Sequence, residues 1–188
     1  EKPSILLTVD CGISDRSAIA RARELGMDVV VADHHLPPEE LPDATVLCNP
    51  KLADCPCASL AGVGVTFFLM AELNARLTEA GAPRMDMRRT LDLVALGTLA
   101  DLVELEGQNR ILVKNGLLVL AEARRPGISE LKVVSGYAPL ASLGAGQVIF
   151  SLAPRINAAG RVASAETALA LLCAKDADSA ADLARTLD

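Results

Sequence analysis

The chain has 188 residues, with 18 Lys+Arg against 24 Asp+Glu and a formal charge of −6. Half of it is apolar (51%) and 22% is charged, a globular balance and not a disordered one. No run reaches the ~18 apolar residues of a membrane-spanning helix. Aromatics make up 2%, with no Trp, so platforms for stacking single-stranded bases are nearly absent. The negative balance excludes binding of nucleic acid through global charge, but leaves open local basic sites and carboxylates neutralised by metal. Cysteines 11, 48, 55, 57 and 173 form no even disulfide framework, which points to a reduced, cytoplasmic setting. Both histidines of the chain stand side by side, His34 and His35.

Residues 4–10 (SILLTVD) read as a buried strand. Ser14 or Asp15 then caps a helix running to Leu25, with Gly26 fitting the C′ position. Residues 28–33 (DVVVAD) and 44–48 (ATVLC) read as two further strands. Apolar strands joined by a helix predict a parallel sheet covered on both faces. Ser59 is the expected cap of a long helix to Ala80. Helical spacing recurs at 86–100, 109–123, 164–174 and 179–187. Stretches 124–146 and 153–163, rich in Gly, Pro and Ser, are expected to be irregular. The predicted fold class is α/β, a partial Rossmann-like parallel sheet followed by a mainly helical part.

Two strands end in acids, Asp10 and Asp33. Ligands of parallel α/β sheets bind beyond the carboxyl ends of the strands, and neighbouring strands lie ~4.8 Å apart. Asp33 runs directly into His34 and His35. Carboxylate and imidazole ligands there suit Mn²⁺, Mg²⁺ or Zn²⁺, and two such ions ~3.5–4 Å apart can clamp a phosphoester. The plainer alternative is that these acids cap the helices that follow. A third acid, Asp101, closes the apolar stretch LGTLAD, a place where helix-end acids are common.

The segments TVDCGIS (8–14), VADHHLP (31–37), SLAGVGV (59–65), LVALGTLADLV (93–103) and LAPRINAAGR (152–161) occur in this order. Together they resemble the DHH phosphoesterase superfamily and, within it, the RecJ-type single-strand-specific 5′→3′ DNA exonucleases of recombination and repair. The resemblance spans the chain. It implies that Asp10 bridges two metal ions, Mn²⁺ or Mg²⁺, with His34 and Asp101 as further ligands. His35 is implied as the catalytic histidine and Asp33 as the acid that orients its histidine neighbours. Metal-held water would attack phosphorus. Arg155, Asn157 and Arg161 would face single-stranded DNA, the arginines as forks for phosphate; pairing of an arginine with an acid of the chain is the bland alternative.

One departure stands out. The family's first motif is an Asp-x-Asp-Gly stretch, and this sequence has no Asp-Gly pair. Asp176-Ala177-Asp178 has the spacing only and reads as solvated surface. The expectation is an internal piece of a larger enzyme. In it, 1–58 form the later part of the sheet and 59–163 the helical remainder of the domain. Residues 164–188 would start a helix toward a further domain. Such a piece is expected to be inactive alone, and an exposed sheet edge would favour a homodimer. Two other readings are a DHH phosphoesterase acting on short oligonucleotides or cyclic dinucleotides, and an inactive scaffold. A zinc site at Cys48, Cys55 and Cys57 is the lesser reading of those thiols.

Overall fold

The computed structural model describes residues 3–162 and 165–188. They divide into two compact units, Glu1–Met87 with Val103–Asn109, and Arg88–Leu102 with Arg110–Asp188. No helix among the described residues is long and apolar enough to cross a membrane.

The first unit is built on a parallel sheet in the order β1-β2-β3, from β1 (Ile5–Val9), β2 (Asp28–Ala32) and β3 (Val46–Cys48). Leu6 pairs with Val29 and Val9 with Ala32; Val31 pairs with Leu47. Helix α1 (Arg16–Glu24) crosses between β1 and β2. Its buried Ile19 and Ala22 pack on Val29 and Val31, with Leu6, Met27, Ala44 and Leu47 around them. Residues two apart share a sheet face, so this covers one side of β1 and β2. The opposite side of β1 is less covered: Ile5, Leu7 and Val9 are 63%, 42% and 46% exposed. Cover is therefore thinner over this side of β1, which is an edge strand among the described residues.

Helix α2 (Gly62–Glu79) packs against β1 and β2. It starts three residues after the expected Ser59 cap; Ala61 holds the cap position with no side-chain hydrogen bond. The acid complementing this helix start is instead Asp10, whose carboxylate lies beside Gly62.

A 3₁₀ turn (Met87–Thr90) that begins in the first unit leads into α3 (Leu91–Ala100) of the second. Then come α4 (Gly107–Glu122), which begins in the first unit, α5 (Pro126–Val134) and α6 (Ala145–Gln147). A π-helical turn (Val148–Leu152) joins α6 to α7 (Ala153–Val162), followed by α8 (Ala165–Cys173) and α9 (Ala177–Thr186). The core joins Leu96 and Leu99 of α3, Leu120, Ile128, Leu131, Leu152, Leu171 and Ala184.

Of the two stretches expected to be irregular, 153–162 is helical, whereas 124–146 is helical at Pro126–Val134 and from Ala145 but irregular over 135–144, as expected. Pro126 sits in the first turn of α5, where its missing N–H is harmless and its fixed φ favours the helix. Gly127 is there for contact: a Cβ would lie 1.9 Å from the Leu171 carbonyl oxygen. Pro154 falls in the turn after the π-helical segment, where the hydrogen-bond register changes and a missing donor is tolerated. Pro126, Gly127 and Pro154 thus mark helix starts and a close approach, whereas Gly136 and Pro139 lie in the irregular part. Asp176 likewise does more than face solvent. Its carboxylate accepts from the Ser179 N–H at 2.8 Å and caps α9.

Candidate metal centre

The site begins where β1 and β2 end. The Asp10 N–H donates to the Ala32 carbonyl at 2.9 Å, so the ladder carries Asp10 level with the end of β2. Asp10 has φ +60, a left-handed conformation that turns the chain sharply away from the strand. Its carboxylate is flanked by Gly62: a Cβ there would stand 2.1 Å from Oδ1 and 2.7 Å from Cγ of Asp10. Only a residue without a side chain lets α2 begin so close to this acid.

Asp33 sits at the end of β2 and is 1% exposed. Its Oδ2 accepts from the Ile13 N–H at 3.0 Å. Its Oδ1 accepts from the His34 N–H at 2.7 Å and the His35 N–H at 3.2 Å, and meets His35 Nδ1 at 2.7 Å. Burial pushes the Asp33 carboxyl up, but the donors from Ile13, His35 and His34 outweigh it and hold the group below the usual carboxylate range. Asp33 is therefore a carboxylate at neutral pH and takes the proton-bearing Nδ1 of His35.

His34 is buried and places Nε2 3.1 Å from Asp10 Oδ1. The His35 side chain is 59% exposed, its ring centroid 4.6 Å from that of His34. Asp10, His34 and His35 each offer a ligand atom, all within 4.8 Å of one another. One oxygen donor and two imidazoles at this spacing fit a divalent ion such as Mn²⁺ or Mg²⁺, whose ligands lie ~2.0–2.3 Å from the metal. Asp33 meets the His35 ring and accepts from the His34 main-chain N–H.

Of the other candidate site residues, Asp101, Arg155, Asn157 and Arg161 belong to the second unit. Asp101 is the exposed C-cap of α3, followed by Leu102 at φ +57. PRINAAGR is part of helix α7. Arg155 is engaged: Nε and one terminal nitrogen donate to Asp188 Oδ1 at 2.8 and 2.6 Å, and the other terminal nitrogen donates to the Ser151 carbonyl. Asn157 is exposed and lines a cleft of about 350 Å³ with Leu99, Leu102, Ile149 and Pro154. The side chain of Arg161 lies outside the described part. Two neighbours of the histidines, Asn49 and Lys51, carried no signal beyond an Asn-Pro turn after β3.

The sequence matches the model of the DHH family, N-terminal domain, over residues 2–98. The single-stranded-DNA-specific exonuclease RecJ of Salmonella typhimurium is 44% identical over 98% of this chain and 33% of its own length. RecJ of Escherichia coli is 42% identical over the same shares. Among solved structures, exonuclease RecJ bound to manganese superposes with a TM-score of 0.85 at 38% identity, over 98% of this chain and 45% of that one. RecJ of Thermus thermophilus in complex with Mn²⁺ gives 0.83 at 39% identity, over 98% and 27%. The same protein in complex with Mg²⁺ gives 0.73 at 35% identity, over 98% and 25%. The chain thus spans about a third of the curated relatives it matches. Strand-end acids, the paired histidines and these matches agree: the chain belongs to the DHH family.

Proposed function

We propose that this chain is the metal-dependent catalytic part of a cytoplasmic nuclease that removes nucleotides from the 5′ end of single-stranded DNA in recombination and repair. The observation that carries this reading is the grouping of Asp10, His34 and His35, with Asp33 behind them, at the carboxyl ends of two parallel strands. Asp10 and His34 hold the ion, joined by Asp101. A bound divalent ion supplies Lewis-acid stabilisation of charge on the phosphate and lowers the pKa of water.

The chain's own groups do the rest. Asp33 holds the His35 ring by Nδ1, so Nε2 is the nitrogen that takes or gives a proton at a phosphate oxygen. The exposure of the His35 ring supports contact with substrate. Arg155, Asn157 and Arg161 bind the DNA strand. Arg155 already holds an anion, since two of its N–H groups converge on Asp188 Oδ1, and a phosphate oxygen has the same needs. The 188 residues alone bind metal weakly and turn over little, because the sequence has no Asp-x-Asp-Gly stretch to add ligands. Exposed Ile5, Leu7 and Val9 support pairing of copies at the edge of β1.

The test uses the complete protein with Mn²⁺ and 5′-phosphorylated single-stranded DNA. Mononucleotides should appear. Chelator, Asp10→Ala or His34→Ala should abolish them, and His35→Ala should slow them by about 10²–10⁴-fold. Faster hydrolysis of dinucleotides or cyclic dinucleotides than of long strands, or none of any, would overturn the reading.

A further inference from the structure

All four main-chain polar groups of His34 and His35 are held by side chains. The two N–H groups go to Asp33. The His35 carbonyl accepts from Asn49 Nδ2 at 2.9 Å, and the His34 carbonyl accepts from Lys51 Nζ. We propose that Asn49 and Lys51 are positioning residues for the histidine pair, fixing from the β3 side the backbone that aims both rings. The inference rests on the site reading above, and concerns residues to which that reading gives no part.

The geometry explains why side chains are needed. The Asp33 N–H donates to the Cys48 carbonyl at 3.0 Å, the last sheet-like bond between these segments. After Cys48 the chain turns, with the Leu52 N–H bonded to the Asn49 carbonyl at 3.1 Å. Strand β3 therefore has no further N–H to offer the histidine carbonyls, and the Asn49 amide takes its place. The orientation of that amide is not arbitrary. Its Oδ1 accepts from the Lys51 N–H at 2.9 Å, an Asx-type turn that leaves Nδ2 facing His35. Asn49 is 8% exposed, so water is a poor substitute for the lost donor. Lys51 is exposed, and its ammonium is tied down at the His34 carbonyl. A small rotation of this backbone swings two imidazoles off their targets.

Asn49→Asp separates positioning from folding. The carboxylate keeps the acceptor for the Lys51 N–H and nearly the same shape, but sets an oxygen against the His35 carbonyl. Added negative charge alone would tighten a cation site, so weaker binding cannot come from charge. In the complete protein, Mn²⁺ affinity without DNA is read by the electron paramagnetic resonance of free Mn²⁺. Melting temperature, kcat and KM on 5′-phosphorylated single-stranded DNA are read beside it. Asn49→Asp should melt with the wild type, bind Mn²⁺ about 10-fold or more weakly, and lose kcat with KM unchanged. Lys51→Met should do the same to a smaller extent, and Lys51→Arg should restore it. Should Asn49→Asp melt early, the lysine pair decides. Wild-type Mn²⁺ affinity and kcat in either folded variant overturns the proposal, as does a rise in KM alone for Lys51→Met, which would make Lys51 a DNA contact. If the wild type binds Mn²⁺ but does not cut DNA, the nuclease reading fails while the Mn²⁺ arm still judges this one.

Discussion

The two units bury polar groups for different ends. In the first, Asp33, His34 and Asn49 are buried at the ends of β2 and β3, and their hydrogen bonds serve the loop that carries the histidines. In the second, buried Asp92 pairs with Arg125 at 3.1 Å, and Arg125 also donates to the Leu172 carbonyl. Lys132, fully buried, donates to the Leu120 carbonyl at 3.0 Å and the Pro139 carbonyl at 2.6 Å. Those bonds tie helix ends and a loop to the core. In the first unit, with a small apolar cluster beneath its sheet, buried Asp33 and Asn49 bond to the histidine loop, while buried Asn109 donates to the Ser59 and Glu104 carbonyls. The second, with a broad helical core, uses polar burial to hold helices together.

This contrast can be broken at three points. The largest effect is expected from Ile128→Ala, which empties a fully buried place in the helical core. It should destabilise the second unit by about 2–5 kcal/mol in chemical denaturation, while the proposed ligands Asp10, His34 and Asp101 still bind Mn²⁺ wherever the chain stays folded. Loss of Mn²⁺ binding at a temperature where the variant stays folded would break the division. Gly62→Ala should act in the opposite sense. The new methyl displaces the end of a flexible side chain, Asp10, so stability should change little while kcat falls about 10²-fold. Equal losses of stability and rate would place Gly62 with packing residues instead.

The smallest effect concerns Lys132. Burial holds its ammonium below the ordinary lysine value of ~10.4. Between the folded and unfolded values the unfolded chain binds more protons, so stability rises with pH in that window. The burial penalty is present in full below the folded value and is gone above ~10.4. Lys132→Met removes this titration. The stability of wild type minus that of the variant should therefore increase as pH rises toward ~10.4. A flat difference would show that the two carbonyls offset the burial entirely.

The sheet unit was largely legible in the sequence because its signals are local. Unbroken apolar runs marked β1, β2 and β3, and Gly26 at φ +83 closed α1 as expected. Asp10, Asp33, His34 and His35 were legible because acids and histidines at strand ends share one edge whatever surrounds them. The helical unit was harder. Pro126, Gly127 and Pro154 look like breakers in one dimension, yet in three they start helices or admit a neighbouring carbonyl.

The sequence by itself determined the parallel βαβ start, the strand-end acids and the histidine pair, since each depends on neighbours a few residues away. Only the tertiary structure decided that Gly62 yields its space to Asp10, and that Asn49 and Lys51 hold the histidine carbonyls. Those partners stand 14 to 17 residues away for the carbonyls. Contacts of that kind follow no local period; they exist because separate strand ends satisfy one another's polar groups where the sheet ladder stops.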